Sequence, residues 1–289
     1  LLRWRAFSTD CFLLFAITKK IQWKTGPNFL RKSSFSAPKN SVNLQPMRYF
    51  IEFSYSGKNY FGYQIQPNQI SVQEVLENAL STILREEIKT TGAGRTDTGV
   101  HAKKIFAHFD TEKDLGENLV YQLNSFLPTD ISIKRVFSVK DDFHARFHAT
   151  FRTYEYYISL DKNPFTQDSS WQIWKRDLNI DLMNEACKIL FEYEDFTSFS
   201  KLHTENKTNN CKIYKAFWEQ NGTEIKFTIS ADRFLRNMVR AIVGTMVEIG
   251  NGKIAPSDLR TIIEDKNRNS AGTSAPAQGL FLVDVGYEF

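Results

Sequence analysis

Apolar and polar residues along this chain alternate between strand and helix periods in an order that repeats. Tyr49, Ile51, Phe53 and Tyr55 alternate with polar neighbours, the period of a half-buried strand. Ser71-Val72-Gln73-Glu74 has the spacing of a capping box, and Val75, Leu76, Ala79, Leu80, Ile83 and Leu84 follow at helical spacing. Residues 88–91 form a short strand, and Ile105, Ala107 and Phe109 alternate again. Leu119, Val120, Leu123 and Phe126 make a second helical stripe that ends at Leu127-Pro128, and residues 131–139 are strand-like. The order β-α-β-β-α-β is the split βαβ arrangement of ferredoxin-like and RRM-like units.

The second half runs through the same order. Residues 153–160 predict a strand and 182–191 a helix; 213–218 and 225–229 are strands around the turn signal Asn221-Gly222. A long helix is expected over 234–249 and a last strand over 280–285. Residues 162–174 and 200–210 look like loops, and 267–278 like an ordered crossover. No sequence identity joins the halves, so the repeat is one of element order. The expected fold is α+β: two tandem units, 47–149 and 150–289, with a cleft between them.

Size and composition fit that picture. The chain has 289 residues, of which 42% are apolar and 24% charged, as in a globular protein with real cores. Its net charge of +4 is unevenly spread. Arg3, Arg5, Lys19, Lys20, Lys24, Arg31, Lys32 and Lys39 face a single acid, Asp10, within residues 1–46, so the remainder is slightly acidic. Any nucleic-acid contact by the body must therefore come from local patches. Residues 1–46 are serine-containing, basic and nearly free of acids, the composition of a transit peptide; Met47 is also the first methionine, which fits a leader translated from upstream sequence. Both readings leave the leader outside the fold. Cys11, Cys187 and Cys211 are too few and too far apart for a disulfide framework or a zinc pattern. A reducing compartment, the cytoplasm, is the simplest expectation, with organellar import if the leader is a true transit peptide. The longest apolar run, residues 11–17, is too short to cross a bilayer, so no membrane partner is expected.

Chemistry concentrates in Thr91-Gly92-Ala93-Gly94-Arg95-Thr96-Asp97-Thr98-Gly99-Val100-His101-Ala102. Glycines tolerate positive φ and close backbone approach, so such a loop can press one carboxylate against a bulky ligand. Gly92-x-Gly94 opens like a dinucleotide fingerprint, but Asp97 stands at the third glycine position. Asp97-Thr98-Gly99 matches the aspartic-protease triad in a single copy, and Arg95 beside it would favour ionisation over a shared proton. His144 and His148 have zinc-like spacing but lack the motif glutamate and a third ligand nearby, so no metal is expected; His101 reads as structural.

Around Asp97 the run Gly94-Arg95-Thr96-Asp97-x-Gly99-Val100-His101-Ala102 resembles the signature of the tRNA pseudouridine synthase A family. The resemblance extends along residues 47–289. It includes Tyr55-x-Gly57-x-x-Tyr60-x-Gly62-Tyr63-Gln64-x-Gln66, Phe143-His144-Ala145-Arg146-Phe147, Arg152-x-Tyr154-x-Tyr156 and Phe234-Leu235-x-x-Met238-Val239-Arg240-x-Ile242-Val243-Gly244. Ser56 and Tyr63 depart from the family's usual aspartate and tryptophan. The resemblance implies isomerisation of uridine to pseudouridine in the anticodon arm of tRNA, at positions 38, 39 and 40. It also implies a homodimer and no cofactor.

By the same resemblance Asp97 is the catalytic aspartate, the nucleophile in general form. Attack at C1′, addition to C6 and proton abstraction all remain open. Arg240 is its charge partner, since a carboxylate enclosed without one tends to neutralise. Arg236, Arg240 and Gly244 fall on one face at i, i+4, i+8, with Gly244 leaving room for an incoming backbone. Tyr154 corresponds to the tyrosine that stacks on the uracil, and Leu280 to the apolar residue on its other side. Arg95 would fill the vacated stack or hold the phosphate of the extruded nucleotide. The rival from another class is a non-catalytic RNA-binding protein of two RRM-like domains, whose aromatic RNP run is absent.

Overall fold

A computed structural model describes residues 46–174, 177–201 and 208–289. The leader expectation for 1–46 lies, but for Pro46, outside the described residues. In chain order the elements are β1 (Met47–Tyr55), α1 (Val72–Leu84), β2 (Thr91–Gly92), β3 (His101–Thr111), α2 (Leu119–Phe126) and β4 (Ile131–Val139). Then follow β5 (Phe151–Ser159), β6 (Trp171–Gln172), α3 (Ile180–Ile189), β7 (Ile213–Asn221), β8 (Glu224–Ala231), α4 (Met238–Gly250), α5 (Asp258–Glu264) and β9 (Leu280–Gly286).

Among the described residues the nine strands join one mixed sheet in the order β4-β1-β3-β9-β5-β8-β7, with β2 on β3 and β6 on β5. The first half contributes β4-β1-β3 with β2 beside β3, and the second contributes β9-β5-β8-β7. Each half thus has its fourth strand, first strand, third strand and second strand side by side, the same α+β unit twice. The seam is a short parallel pairing of β3 with β9, His101 opposite Phe281 and Ala102 opposite Leu282. It exists because β2 is only two residues long and pairs further along β3, at Ala107 and His108. The start of β3 is left free for β9, and the loop carrying Asp97 lies directly before that seam.

Two hydrophobic clusters back the sheet, and each borrows from the other half. Val100 is buried in the cluster of the second half, while Leu282 and Val285 of β9 are buried in that of the first. Complete burial of such side chains contributes about 1.5–3 kcal/mol each, which ties the seam down without long strand pairing. Tyr154 packs against both clusters.

Several elements differ from the sequence expectation. Phe50, on the face of β1 expected to meet solvent, is fully buried because Phe143, Tyr287 and Phe289 cover it. The first short strand is Thr91–Gly92 rather than 88–91. Helix α4 begins at Met238, not at 234, because Asn237 adopts a left-handed conformation at φ 67°. Phe234 and Leu235 look helical in sequence but pack inward from the preceding loop. Within the stretch read as a loop over 162–174, Trp171 and Gln172 pair with β5. Part of the loop expected over 200–210 lies outside the described residues. Helix α5 is an element that the sequence pattern does not announce; Leu259, Ile262 and Ile263 bury its inner face. No helix among the described residues is long and apolar enough to cross a membrane.

Candidate active site

The loop over 93–100 is held at several points along its length, leaving Asp97 to project. Ala93 donates its backbone N–H to Phe106 in β3. The Tyr55 hydroxyl lies 2.8 Å from Thr96 Oγ1. The Tyr63 amide donates to the Thr96 carbonyl. Gly62, at φ +92°, passes so close to that carbonyl that a Cβ would sit 2.6 Å from its oxygen. Only glycine permits both the backbone angle and the approach. At the end of the loop His101 is buried, with Nδ1 accepting from the Gly57 amide at 3.1 Å. Its proton therefore sits on Nε2 and is donated to the Asp168 carbonyl at 3.0 Å. Burial lowers the His101 pKa from its ordinary value, consistent with this neutral, structural imidazole.

Across the seam, α4 brings a guanidinium to the carboxylate. Arg240 Nη1 lies 3.3 Å from Asp97 Oδ2. Arg240 Nε donates to the Ala275 carbonyl at 2.7 Å, and Ala275 N donates back to the Arg240 carbonyl at 2.9 Å. The side chain is thus aimed by a two-way backbone clamp before any charge interaction is counted. The clamp depends on Gly244 one turn further along α4, where a Cβ would fall 1.8 Å from the Thr273 oxygen. Asp97 is 24% exposed and Arg240 21%, so the pair is sheltered but not sealed from solvent.

Arg236 comes to the same carboxylate from the loop before α4 rather than from the helix itself, its Nε 3.8 Å from Asp97 Oδ1. Sequence reasoning placed Arg236 on a shared face with Arg240 and assigned it no partner. Its spacing from Arg240 was the available signal. Two guanidiniums therefore face one carboxylate.

Tyr154 lies on β5 opposite Leu282 and Ile229 of the neighbouring strands, its ring edge-on to Phe234 with centroids 5.2 Å apart. Burial pushes its hydroxyl up to about 12; Arg152 opposes the shift and Asp97 adds to it. Tyr154 keeps its proton at neutral pH and is electrostatically coupled to Asp97. Leu280, at the start of β9, is buried in the second-half cluster opposite Tyr156 rather than Tyr154. Arg95 is exposed.

Arg95 has company that the sequence did not suggest. Arg146 is pulled below its ordinary pKa first by burial and then by the positive charges of Arg95 and Arg233. Among the described residues none of these three arginines is ion-paired with a carboxylate, so a local basic patch stands beside Asp97 on a body with a slight acidic excess. Phe147, 74% exposed, adjoins it with the Arg146 guanidinium 5.8 Å from its ring. His144 and His148 serve the same turn: His144 Nδ1 accepts from the Arg146 amide, and His148 Nδ1 from the His144 amide.

Two tandem α+β units thus meet at a seam where one carboxylate faces guanidiniums beside a basic rim. The family described as tRNA pseudouridine synthase matches residues 52–148 and 186–288, and the chain belongs to that family. The tRNA pseudouridine synthase A of Bacteroides fragilis is 55% identical over 247 residues, covering 84% of this chain and 98% of that protein. That of Parabacteroides distasonis is 52% identical over 242 residues, covering 83% and 96%. That of Bacillus subtilis is 38% identical over 247 residues, covering 84% and 100%.

Proposed function

We propose that this protein isomerises uridine to pseudouridine in tRNA, with Asp97 as the catalytic carboxylate. The observation that carries the reading is the 3.3 Å contact between Asp97, from a loop of the first half, and Arg240, from a helix of the second. In the reaction the C1′–N1 bond breaks, the uracil turns, C5 bonds to C1′, and the C5 proton is lost to solvent while N1 is protonated. Electrons and atoms balance within the nucleotide, so the chemistry draws on no redox partner and no external cofactor. An ionised carboxylate is what such a step requires, whether it attacks C1′, adds to C6 or takes a proton. The first two routes pass through a covalent adduct and the third does not.

Each half supplies a part: 47–149 carries Asp97 and Arg95, and 150–289 carries Arg240, Tyr154 and Leu280. Arg240 holds Asp97 in place through their 3.3 Å contact, and Tyr154 offers its ring face to the uracil with a protonated hydroxyl. Leu280, buried opposite Tyr156, belongs to the core beside the site, and Arg95 holds the phosphate or fills the gap left by the extruded nucleotide. The basic patch of Arg95, Arg146 and Arg233 supports a polyanionic substrate. A non-catalytic RNA-binding protein is not favoured, since a surface that only binds RNA has no use for a carboxylate between two guanidiniums. The expected target is positions 38, 39 and 40 of the anticodon arm, gripped by a homodimer in the cytoplasm.

The test uses unmodified tRNA transcripts with tritium at uracil C5. Release of tritium to water, with pseudouridine mapped to the anticodon arm, is expected. A well-folded protein that binds tRNA but releases no tritium would overturn the reading.

A further inference from the structure

One guanidinium ties together the loops that surround Asp97, and it belongs to none of the residues assigned above. Arg152 stands near the start of β5, the strand flanked by β8 and β9, with Ala231 and Val285 as its neighbours in the sheet. Its Nη1 donates to the carbonyls of Ala149 at 3.0 Å and Asp232 at 2.8 Å. Its Nη2 donates to those of Ala93 at 3.0 Å and Arg146 at 2.6 Å. Among the described residues Arg152 forms no salt bridge, so its charge is met by carbonyl dipoles, and what it supplies is geometry. A planar fork with five donors can serve four acceptors from separate segments; an ammonium has three donors and no fixed plane.

The four carbonyls come from three loops. Ala93 opens the Asp97 loop. Beyond it Gly94 has nothing within 4 Å of where a Cβ would lie, while the Ala93 N–H and the Thr96 carbonyl are both hydrogen-bonded. Asp232 opens the loop that carries Arg233, Phe234 and Arg236, which reach the basic patch, the Tyr154 ring and Asp97 respectively. Arg146 and Ala149 belong to the connection between β4 and β5, which presents Arg146 and Phe147. A group on a central strand thereby fixes the Asp97 loop relative to the loop bearing its second guanidinium.

From this geometry we infer that Arg152 is the positioning residue of the site, setting Asp97 against Arg236 and Arg240 through the Ala93 and Asp232 carbonyls. The inference rests on the catalytic reading of Asp97 for its consequence, but not for its structural content. Misplacing a reacting group by about 1 Å costs on the order of a hundredfold in rate. Arg152→Met is therefore expected to lower kcat by about a hundredfold while KM for tRNA changes less than about threefold. Arg152→Lys should recover no more than a small part of that loss.

Both variants, in the full chain, are to be examined by tritium release and by amide hydrogen exchange. Exchange in 93–100 and in 232–237 should quicken together, with β1 and β8 unchanged. Wild-type kcat in either variant, or a loss confined to KM, would overturn the inference. If Arg152→Met does not fold, Arg152→Lys decides, because full activity there would mean that charge alone suffices. If the wild type itself releases no tritium, the catalytic reading fails. The exchange measurement still judges Arg152, and unchanged protection in both loops would count against it.

Discussion

Gly244→Ala adds one methyl group and sets two effects against each other. Alanine is the better helix former, worth about 1 kcal/mol in a helix interior. Against this, the new Cβ on α4 would lie 1.8 Å from the Thr273 oxygen and 2.9 Å from its carbonyl carbon. Ordinary carbon–oxygen contact needs about 3.3 Å, so the backbone at 273 must retreat by roughly 1.5 Å. That segment is bound to α4 by Gly272 N to Thr245 Oγ1 at 2.9 Å, Asn237 Nδ2 to Ser274 Oγ at 2.6 Å, and the Arg240–Ala275 clamp. Such a retreat breaks at least two of these bonds, one of them to a charged group, at about 1 and about 2 kcal/mol. Overpacking strain adds about 1–3 kcal/mol. The steric effect wins, with a net loss of about 3–5 kcal/mol. For a domain of this size that lowers Tm by roughly 6–20 °C. Activity should fall as well, because Arg240 loses the carbonyl that aims it. The assay is thermal and urea unfolding of Gly244→Ala beside Gly94→Ala, whose Cβ meets nothing within 4 Å and whose stability should stay within about 0.5 kcal/mol of wild type. A Gly244→Ala protein as stable as wild type would refute the close packing of 271–275 on α4.

Other expectations follow from the same contacts. Arg240→Met should cost far more in kcat than in tRNA affinity, measured by single-turnover release and filter binding; equal losses would make Arg240 a binding residue. His108 is pushed down to about 4 by burial, then by Arg48 and His144, with Asp110 opposing. It stays neutral in the fold while an unfolded chain protonates near 6.5. Its contribution is therefore intact above about pH 6.5 and is lost as pH falls through about 4, amounting to about 3 kcal/mol. Urea midpoints between pH 7 and pH 4 should fall more steeply for wild type than for His108→Gln, and parallel profiles would remove His108 as the cause. Arg146→Gln should weaken tRNA binding and reduce the slope of log affinity against log salt by about 1. An unchanged slope would exclude a phosphate contact.

What the sequence made legible was whatever is written locally. The capping residue of α1 is one case: Ser71 Oγ accepts from the Glu74 amide at 3.2 Å, as the Ser-x-x-Glu spacing implies. The repeated element order is another, and so is the space left at Gly244. What stayed hidden depends on non-local packing. The burial of Phe50 follows from a C-terminal tail more than 200 positions away, and the β3–β9 seam from the shortness of β2. The start of α4 is decided by the left-handed Asn237, a choice that the apolar Phe234 and Leu235 mask in a periodicity count. In the site, Asp97 was conspicuous by its glycines and Arg240 by resemblance. Arg152 stands in one of the resembling motifs too, but nothing in the sequence gives it a role, because its partners are backbone carbonyls, and a carbonyl belongs to every residue type.

The central claim, that Asp97 performs the chemistry, is tested most directly by Asp97→Asn, which keeps size and shape while removing the charge. Binding of the variant to unmodified tRNA and tritium release from uracil C5 are measured on the same preparation, beside wild type. The account requires wild-type release, retained tRNA binding by the variant, and no release above background from it. Undiminished release by Asp97→Asn would contradict it.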